Sequence, residues 1–535
     1  MLLLPGGTGN SAAKIGAAEL LQAALAGVLY GLAFPSWEGL ELAPLAWFCL
    51  VPLLLPQWLQ LSFVRYAALA LAAAIGGSWI AGHWTFGYNG WLFGILAVVW
   101  HGLIAAPPLW LYHWQARRQG WAWALCTLPF SWVAWEWLAA NWQPFFWGAI
   151  GASQSNLTWL VQFADVAGVW GVSWWVVALN AVLAHGVANW AAAPKPGWRV
   201  ARVLCLALLA PTLYGQWVFH ALRPSAEPSA ARPTLDIALV QPAAQQADGF
   251  KSIVNLMQTA DRRQWDAVVW PESIFSGMPF HQPVFQESVA QWNVPILMSF
   301  IATRPDMHRP GFADPYAAAL VIDPQRLERI RRGPVRSLLE PHYRKQRLVP
   351  FTELQLLPDS WLVRWPWLKA YTPSRMRYEE QEAQLLTLTS RQGADYPIGT
   401  LICYEAVFPH LSAQAVRAGA QALFVLANDI HFGPTEAWQA ASFSRLRAIE
   451  TRTPVVRTST SGVVGALDAL GRWQLHDHSR AAGIYPVRVE LGALAPTLYV
   501  RWGDWLPKIG VAVLILMAGV AVGSRVGMVK WLRRT

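Results

Sequence analysis

The sequence predicts a multi-pass α-helical membrane domain of eight helices joined to one large extracytoplasmic α/β domain. Three observations point there. The chain of 535 residues is 55% hydrophobic and holds 34 tryptophans, yet only 13% of it is charged, against about 25% in an average soluble domain. The deficit is uneven: residues 1–220 are almost uncharged, whereas 222–500 read as an ordinary soluble domain. And the basic residues in short loops all fall on one side of the implied membrane.

A spanning helix needs about 20 mostly apolar residues. Eight stretches qualify: 17–34, 42–60, 64–81, 91–113, 121–140, 168–190, 200–220 and 504–523. The first continues past any signal-peptide length without a small-x-small cleavage site, so it reads as a retained helix. Pro107-Pro108 should kink the fourth. With Lys14 placed in the cytoplasm, alternation puts Arg65, Arg117-Arg118, Lys195 to Arg202 and the tail (Arg525, Lys530, Arg533, Arg534) on that same side. The opposite short loops, 35–41, 82–90 and 141–167, carry no Lys or Arg. The insert between the seventh and eighth helices therefore lies outside the cytoplasm, and both termini lie inside. The aromatic segment within 141–167, containing Phe146 and Trp147, reads as an interfacial or re-entrant piece, or as a plain aromatic belt. Glu136, near the outer end of the fifth helix, is either a lipid-positioning group or a partner for Trp N–H groups.

Residues 222–233 form a Pro/Ala/Ser linker. The insert that follows, 234–500, alternates strand-like runs (235–241, 266–270, 294–301, 317–323, 396–403, 421–427, 454–459, 462–468, 484–490) with helix-like ones (250–264, 406–418, 437–450). It is large enough for one layered core. Residues 501–535 complete the chain as the eighth helix and a basic tail. The formal charge of +10 is spread over topology-setting loops and a surface facing anionic lipid. No basic motif interleaved with aromatics is present, which argues against a nucleic-acid partner.

Cys403 is the one cysteine of the soluble part; Cys49, Cys126 and Cys205 lie in apolar stretches. It ends a short apolar run, 398–403, at the carboxyl end of a predicted strand, where α/β proteins place their chemistry. Such a thiol is either a small buried hydrophobe or a nucleophile. Glu272 ends a second apolar run through Trp270-Pro271. Lys345 is followed eight residues later by Glu353. Together these side chains supply an acyl-transfer site. A thiol is mostly protonated at neutral pH and needs a base, which Glu272 can be. An ammonium, Lys345, stabilises thiolate and oxyanion, and a carboxylate, Glu353, keeps that ammonium charged and aimed. No His/Cys/Asp cluster has metal-ligand spacing, so neither metal nor cofactor is expected.

Trp270-Pro-Glu272, Lys345 within the run ending Val-Pro-Phe-Thr-Glu353, and Cys403-Tyr-Glu405 resemble, in that order, the Glu-Lys-Cys triad of the nitrilase superfamily. Such a domain between the last two of eight membrane helices resembles the apolipoprotein N-acyltransferase family. Trp135-Glu136-Trp137, Gly151-Ala-Ser-Gln154, Gly168-Val-Trp-Gly-Val-Ser173 and Asn428-Asp429 before Phe432-Gly433 are part of the likeness. The resemblance implies an αββα sandwich facing the periplasm of a bacterial inner membrane. It implies a ping-pong reaction in which Cys403 takes an acyl chain from a phospholipid and passes it to the amino terminus of a diacylated lipoprotein. Tyr404 and Glu405 would shape the pocket, and Glu136, Phe146, Trp147, Asn428 and His431 would position lipids. The sequence departs from the family pattern at Ala243, His431, Ser461, Lys251-Ser252 and Ala139. The same residues also fit an acyltransferase or amidohydrolase with another acceptor, or a non-catalytic membrane scaffold.

Overall fold

The computed structural model describes residues 16–35, 42–87, 90–142, 145–190, 197–222, 232–243, 246–260, 264–275, 277–305, 313–332, 342–350, 352–354, 359–366, 376, 383–494 and 496–525. Lys14, most of the 222–233 linker and the tail beyond Arg525 lie outside the described residues.

The membrane half contains helices Ala17–Leu32, Phe63–Gly82, Gly90–Ala105, Pro107–Gln119, Trp121–Trp142, Ala164–Trp190 and Gly197–Ala221, and the chain returns to it in Trp505–Arg525. By length and hydropathy, five described segments can cross a membrane: Ala43–Gln60, Phe63–Gly87, Gly90–Gln119, Val161–Trp190 and Val200–Ala221. Ala17–Leu32 and Trp505–Gly519 are shorter apolar helices, so the expected count of eight spans is not reached on that measure. Two expected helices are also interrupted. The stretch 42–60 is a string of short turns, Ala43–Trp47, Val51–Leu54 and Pro56–Gln60, each with a proline in its first turn. Proline has no N–H and can only begin a helix, so three prolines give three beginnings. The stretch 91–113 is two helices that meet at Ala106, the second starting on Pro107. Ala164–Trp190 bends at Gly168, whose φ is 65°. A Cβ there would lie 2.7 Å from the Tyr499 ring, so only glycine fits.

The soluble part is two six-stranded sheets. The first runs β12-β1-β2-β3-β4-β5, with β1 Thr234–Gln241, β2 Ala267–Val269, β3 Ile296–Pro305, β4 Ala313–Ile322, β5 Tyr343–Arg344 and β12 Gly483–Glu490. The second runs β11-β10-β9-β8-β7-β6, with β6 Leu386–Thr389, β7 Asp395–Ile402, β8 Leu423–Ala427, β9 Val455–Ser459, β10 Val464–Leu467 and β11 Trp473–Asp477. Side chains alternate between faces with period two. Leu235, Ile237 and Leu239 of β1 meet Phe424 and Leu426 of β8 in the core between the sheets. Ala238 and Val240 face outward, towards helices Gln246–Gln258 and Pro283–Trp292. On the far side, Leu423 and Val425 pack under helices Pro409–Arg417 and Pro434–Thr451. The expected αββα layering follows. Strands β1, β2 and β3 are mutually parallel, as are β7, β8 and β9. Their carboxyl ends therefore gather at one edge.

Candidate active site

That edge brings the sequence-predicted triad together. Glu272 follows β2 by three residues. It is tied to the opposite sheet at both backbone ends: its N–H donates to the Ala427 carbonyl at 3.2 Å, and its carbonyl accepts the Thr460 hydroxyl at 3.0 Å. Cys403 follows β7 directly. Its φ is +52°, a left-handed conformation that costs a side-chain-bearing residue about 1–2 kcal/mol. This turn stops the strand and leaves the thiol half-buried, on a cavity wall. Lys345 follows β5, with its N–H bonded to Ala317 of β4.

The ammonium Nζ of Lys345 lies 2.9 Å from Glu272 Oε1 and 2.8 Å from Glu353 Oε1. Glu353 Oε2 accepts the Val349 N–H at 2.8 Å, which fixes the carboxylate behind the lysine. The Cys403 thiol and the Glu272 carboxyl each bias the other's proton. Burial pushes Glu272 above the ordinary carboxylate value, and Lys345 pulls it partly back. Burial would lower Lys345, but Glu272 and Glu353 outweigh it and hold the ammonium well above its ordinary value. Burial, then the charge of Glu272, raises the Cys403 thiol despite Lys345. At rest the site thus holds a neutral thiol, a base that biases its proton, and a cation that stays charged. This is the pattern for general-base activation of a nucleophile.

Glu405 explains how the lysine and cysteine segments hold this geometry. Its Oε1 accepts the N–H groups of Gln346 (2.5 Å) and Arg347 (3.2 Å), and its Oε2 those of Ile402 (2.7 Å) and the Tyr343 hydroxyl (2.8 Å). One fully buried carboxyl group therefore pins the lysine segment to the cysteine turn. Tyr404 points the other way. Its hydroxyl donates to the Phe146 carbonyl at 2.6 Å and accepts the Phe146 N–H at 2.9 Å, and its ring stacks on Trp147.

The cavity beside Cys403 is walled by aromatics of the membrane half, Trp84, Phe93, Phe145 and Trp147, and by Asp429, Glu436 and Arg457 of the soluble half. A second, apolar cavity lies between helices Ala17–Leu32, Phe63–Gly82 and Gly90–Ala105. The two share Trp84, Phe145 and Trp147 as a common wall.

Of the five residues expected to position lipid, Trp147 lines the cavity. The Phe146 ring is instead packed in the core against Trp170 and Phe408. Glu136 Oε1 accepts the Trp132 indole N–H (2.9 Å) and the Ile150 N–H (2.7 Å), so it fastens the 150–154 turn to its helix. Asn428 accepts the Ile430 N–H, and His431 is exposed beside Phe432, which does line the cavity. The segment after residue 144 is mostly buried between the two halves, not laid on a lipid surface. Of the residues that depart from the family pattern, Ala243 donates its N–H to Thr460, next to Ser461, which accepts from Arg480. Sequence reasoning missed the Asp429–Arg457 ion pair (2.7 Å) and Glu436. An arginine inside a fully buried strand was the available signal, because a buried guanidinium requires a partner. Among the described residues no three His, Cys, Asp or Glu side chains gather as a metal site.

Two family models match the chain: the apolipoprotein N-acyltransferase N-terminal domain over residues 26–182, and carbon-nitrogen hydrolase over 236–485. An apolipoprotein N-acyltransferase of Chlorobaculum tepidum is 32% identical, covering 93% of this chain and 96% of its own length. One of Geobacter metallireducens is 28% identical, covering 94% and 95%. Among solved structures, Nit3 of Saccharomyces cerevisiae, a member of branch 10 of the nitrilase superfamily, is 14% identical. It covers 49% of this chain and 93% of its own, with a TM-score of 0.35.

Proposed function

The chain belongs to the apolipoprotein N-acyltransferase family, and from that premise we propose that it acylates lipoproteins through a thioester on Cys403, with a membrane phospholipid as donor. It is an acyltransferase of a bacterial membrane. The observation that carries the thioester reading is the Glu272–Lys345–Glu353 cluster set against Cys403, on a cavity whose other wall is built by membrane helices.

The chemistry follows from that arrangement. Glu272 takes the Cys403 proton as sulfur attacks the donor's ester carbonyl. The oxyanion develops beside the Lys345 ammonium, whose charge Glu353 secures. Glu272 then returns the proton to the departing glycerol oxygen, and the acyl chain rests on sulfur. A thioester keeps it activated while one lipid leaves and the next arrives. The α-amine of an S-diacylglyceryl cysteine attacks, the C–S bond breaks, and Glu272 passes the amine's proton to the sulfur. The domain division 1–221, 222–233, 234–500 and 501–535, with the soluble part in the periplasm and both termini in the cytoplasm, is part of the same proposal. It is supported by the one-sided placement of Lys and Arg in short loops.

The test is intact-mass measurement of purified full-length protein after incubation with phospholipid. A shift by one fatty acyl group, discharged by a synthetic diacylated lipopeptide and absent from Cys403→Ala, is expected. Transfer to lipopeptide by Cys403→Ala at the wild-type rate would overturn the thioester route.

A further inference from the structure

Amide formation at the second step has a proton requirement that Glu272 alone does not meet. An amino terminus with a pKa of about 7.7–8.0 arrives near neutral pH mostly as the ammonium. It must lose two protons before it is an amide: one to expose the lone pair, one after attack. Glu272, having returned its first proton to the departing glycerol oxygen, has room for one. Lys345 is already protonated. Glu353 is occupied by Lys345 and the Val349 N–H, and Glu405 by its four donors.

The Cys403 cavity has two more carboxyl groups on its wall, Asp429 and Glu436. Asp429 is ion-paired with Arg457 at 2.7 Å. Its other oxygen, Oδ1, is buried without a hydrogen-bond partner, as is Oε2 of Glu436, but among the described residues Glu436 has no ion pair to hold it. It is 3% exposed, it lines the same cavity as the thiol, and its Oε2 is buried with no hydrogen-bond partner. A buried unpartnered carboxyl oxygen is expensive to maintain and points to a ligand that supplies the missing donor. The group stands in the first turn of helix Pro434–Thr451, where the peptide N–H groups favour negative charge.

We propose that Glu436 binds the α-ammonium of the incoming lipoprotein and takes its first proton. The inference rests on the thioester reading above. In the step, the Glu436 carboxylate accepts one N–H proton and leaves a neutral amine beside the thioester. The nitrogen lone pair forms the C–N bond, the C–S bond breaks, and the sulfur leaves with the electron pair. Glu272 takes the second nitrogen proton and passes it to the Cys403 sulfur, while Glu436 releases its own to water as product leaves. Burial, then the neighbouring Asp429, holds the Glu436 carboxyl well above its ordinary value, against the pull of Arg457 and Arg480. A carboxylate raised in that way is a better base towards an ammonium than a solvated one. The groups that bias it come from β9, from the turn after β8 and from the loop after β11, so it reads the cavity rather than its own helix.

The experiment separates the two half-reactions in full-length protein in mixed micelles of detergent and bacterial phospholipid. Wild type, Glu436→Gln and Glu436→Asp are first scored for the one-acyl mass shift on Cys403. The loaded proteins are then discharged with a synthetic S-diacylglyceryl-cysteinyl peptide or with hydroxylamine, which is uncharged at neutral pH. Glu436→Gln is expected to load and to discharge to hydroxylamine within a few-fold of wild type. Its KM for the lipopeptide should rise by about tenfold or more, the worth of one charge-assisted hydrogen bond. Glu436→Asp should recover part of that loss. An unchanged lipopeptide KM in Glu436→Gln overturns the inference. So does an equal loss towards both nucleophiles, which would mark Glu436 as structural. If Glu436→Gln does not fold, Glu436→Asp decides: wild-type KM and rate for lipopeptide with slowed hydroxylamine discharge would overturn the idea. A wild type that never takes up an acyl group fails at the loading stage, and there the thioester reading itself fails.

Discussion

Glu405 accepts four hydrogen bonds with two oxygens in a site closed to water. Three come from the backbone N–H groups of Gln346, Arg347 and Ile402. Glu405→Gln keeps the shape but swaps one acceptor oxygen for an NH2 that faces donors. The expected loss is about 3 kcal/mol, the cost of leaving one or two buried donors unpaired. It should appear as a fall of several degrees in the thermal midpoint of detergent-solubilised protein, with slower acyl-enzyme formation. A variant as stable and as fast as wild type would show that the lysine segment is held some other way. Glu272 yields a pH prediction. It works as the carboxylate, and burial raises its pKa above the ordinary 4.5. Activity in acyl-enzyme formation should therefore be lost, as pH falls, at a value above the normal glutamate range. Lys345 is raised, not lowered, so its charge should not limit the alkaline side below the ordinary lysine range. An acid limb centred near 4 in the pH profile of the loading rate would contradict the burial argument.

At the scale of elements, the carboxyl ends of β2 and β7 were legible because each is a short apolar run stopped by an ionisable side chain, at Glu272 and Cys403. The strand β5 was not, being two residues long, and β11, Trp473–Asp477, is half exposed and polar enough to pass for a loop. Long apolar helices were found from composition, but proline positions overrode length in 42–60 and 91–113. Glu436 was missed because its relevance depends on what helix Pro434–Thr451 faces, which no spacing reveals. Likewise the Asp429–Arg457 pair joins a residue of β9 to one in the turn after the adjacent, parallel β8, 28 apart in sequence, so each charge alone looks anomalous. The role of segment 145–154 was equally unreadable: it is held to the cysteine turn by the Tyr404 hydroxyl, through both the N–H and the carbonyl of Phe146. Tyr404→Phe orphans that carbonyl and N–H. Expected are a loss of about 1–3 kcal/mol and a raised KM for phospholipid, because Trp147 and Phe145 on the cavity wall follow Phe146. Alkylation of Cys403 by a small water-soluble reagent gives the comparison. A thiol that loses reactivity as much as the enzyme loses phospholipid affinity would mean that Tyr404 serves the sulfur, not the wall.

For the whole molecule, the apolar core has no boundary where the membrane half meets the soluble half. Val133, Ala140, Val169 and Trp170 of the membrane helices belong to one cluster with Leu401, Phe408, Leu446 and Val455 of the α/β part. Polar ties cross the same surface. Arg452 reaches Asp165 at 2.7 Å and also binds Gln162, Glu450 Oε1 accepts the Val169 N–H, and Gln439 accepts from both Trp84 and Trp147. Separating the halves would expose the apolar face and strip Arg452 of its partners. The wall of the Cys403 cavity would also lose Trp84, Phe93, Phe145 and Trp147. A fragment of residues 232–494 is therefore expected to self-associate in the absence of detergent and to form no acyl-enzyme, although it carries the complete triad. Light scattering after size exclusion, with intact-mass analysis of the eluted species, measures both. A monomeric fragment that takes up an acyl chain from phospholipid would mean that the membrane helices merely anchor the catalytic part and do not build its substrate pocket.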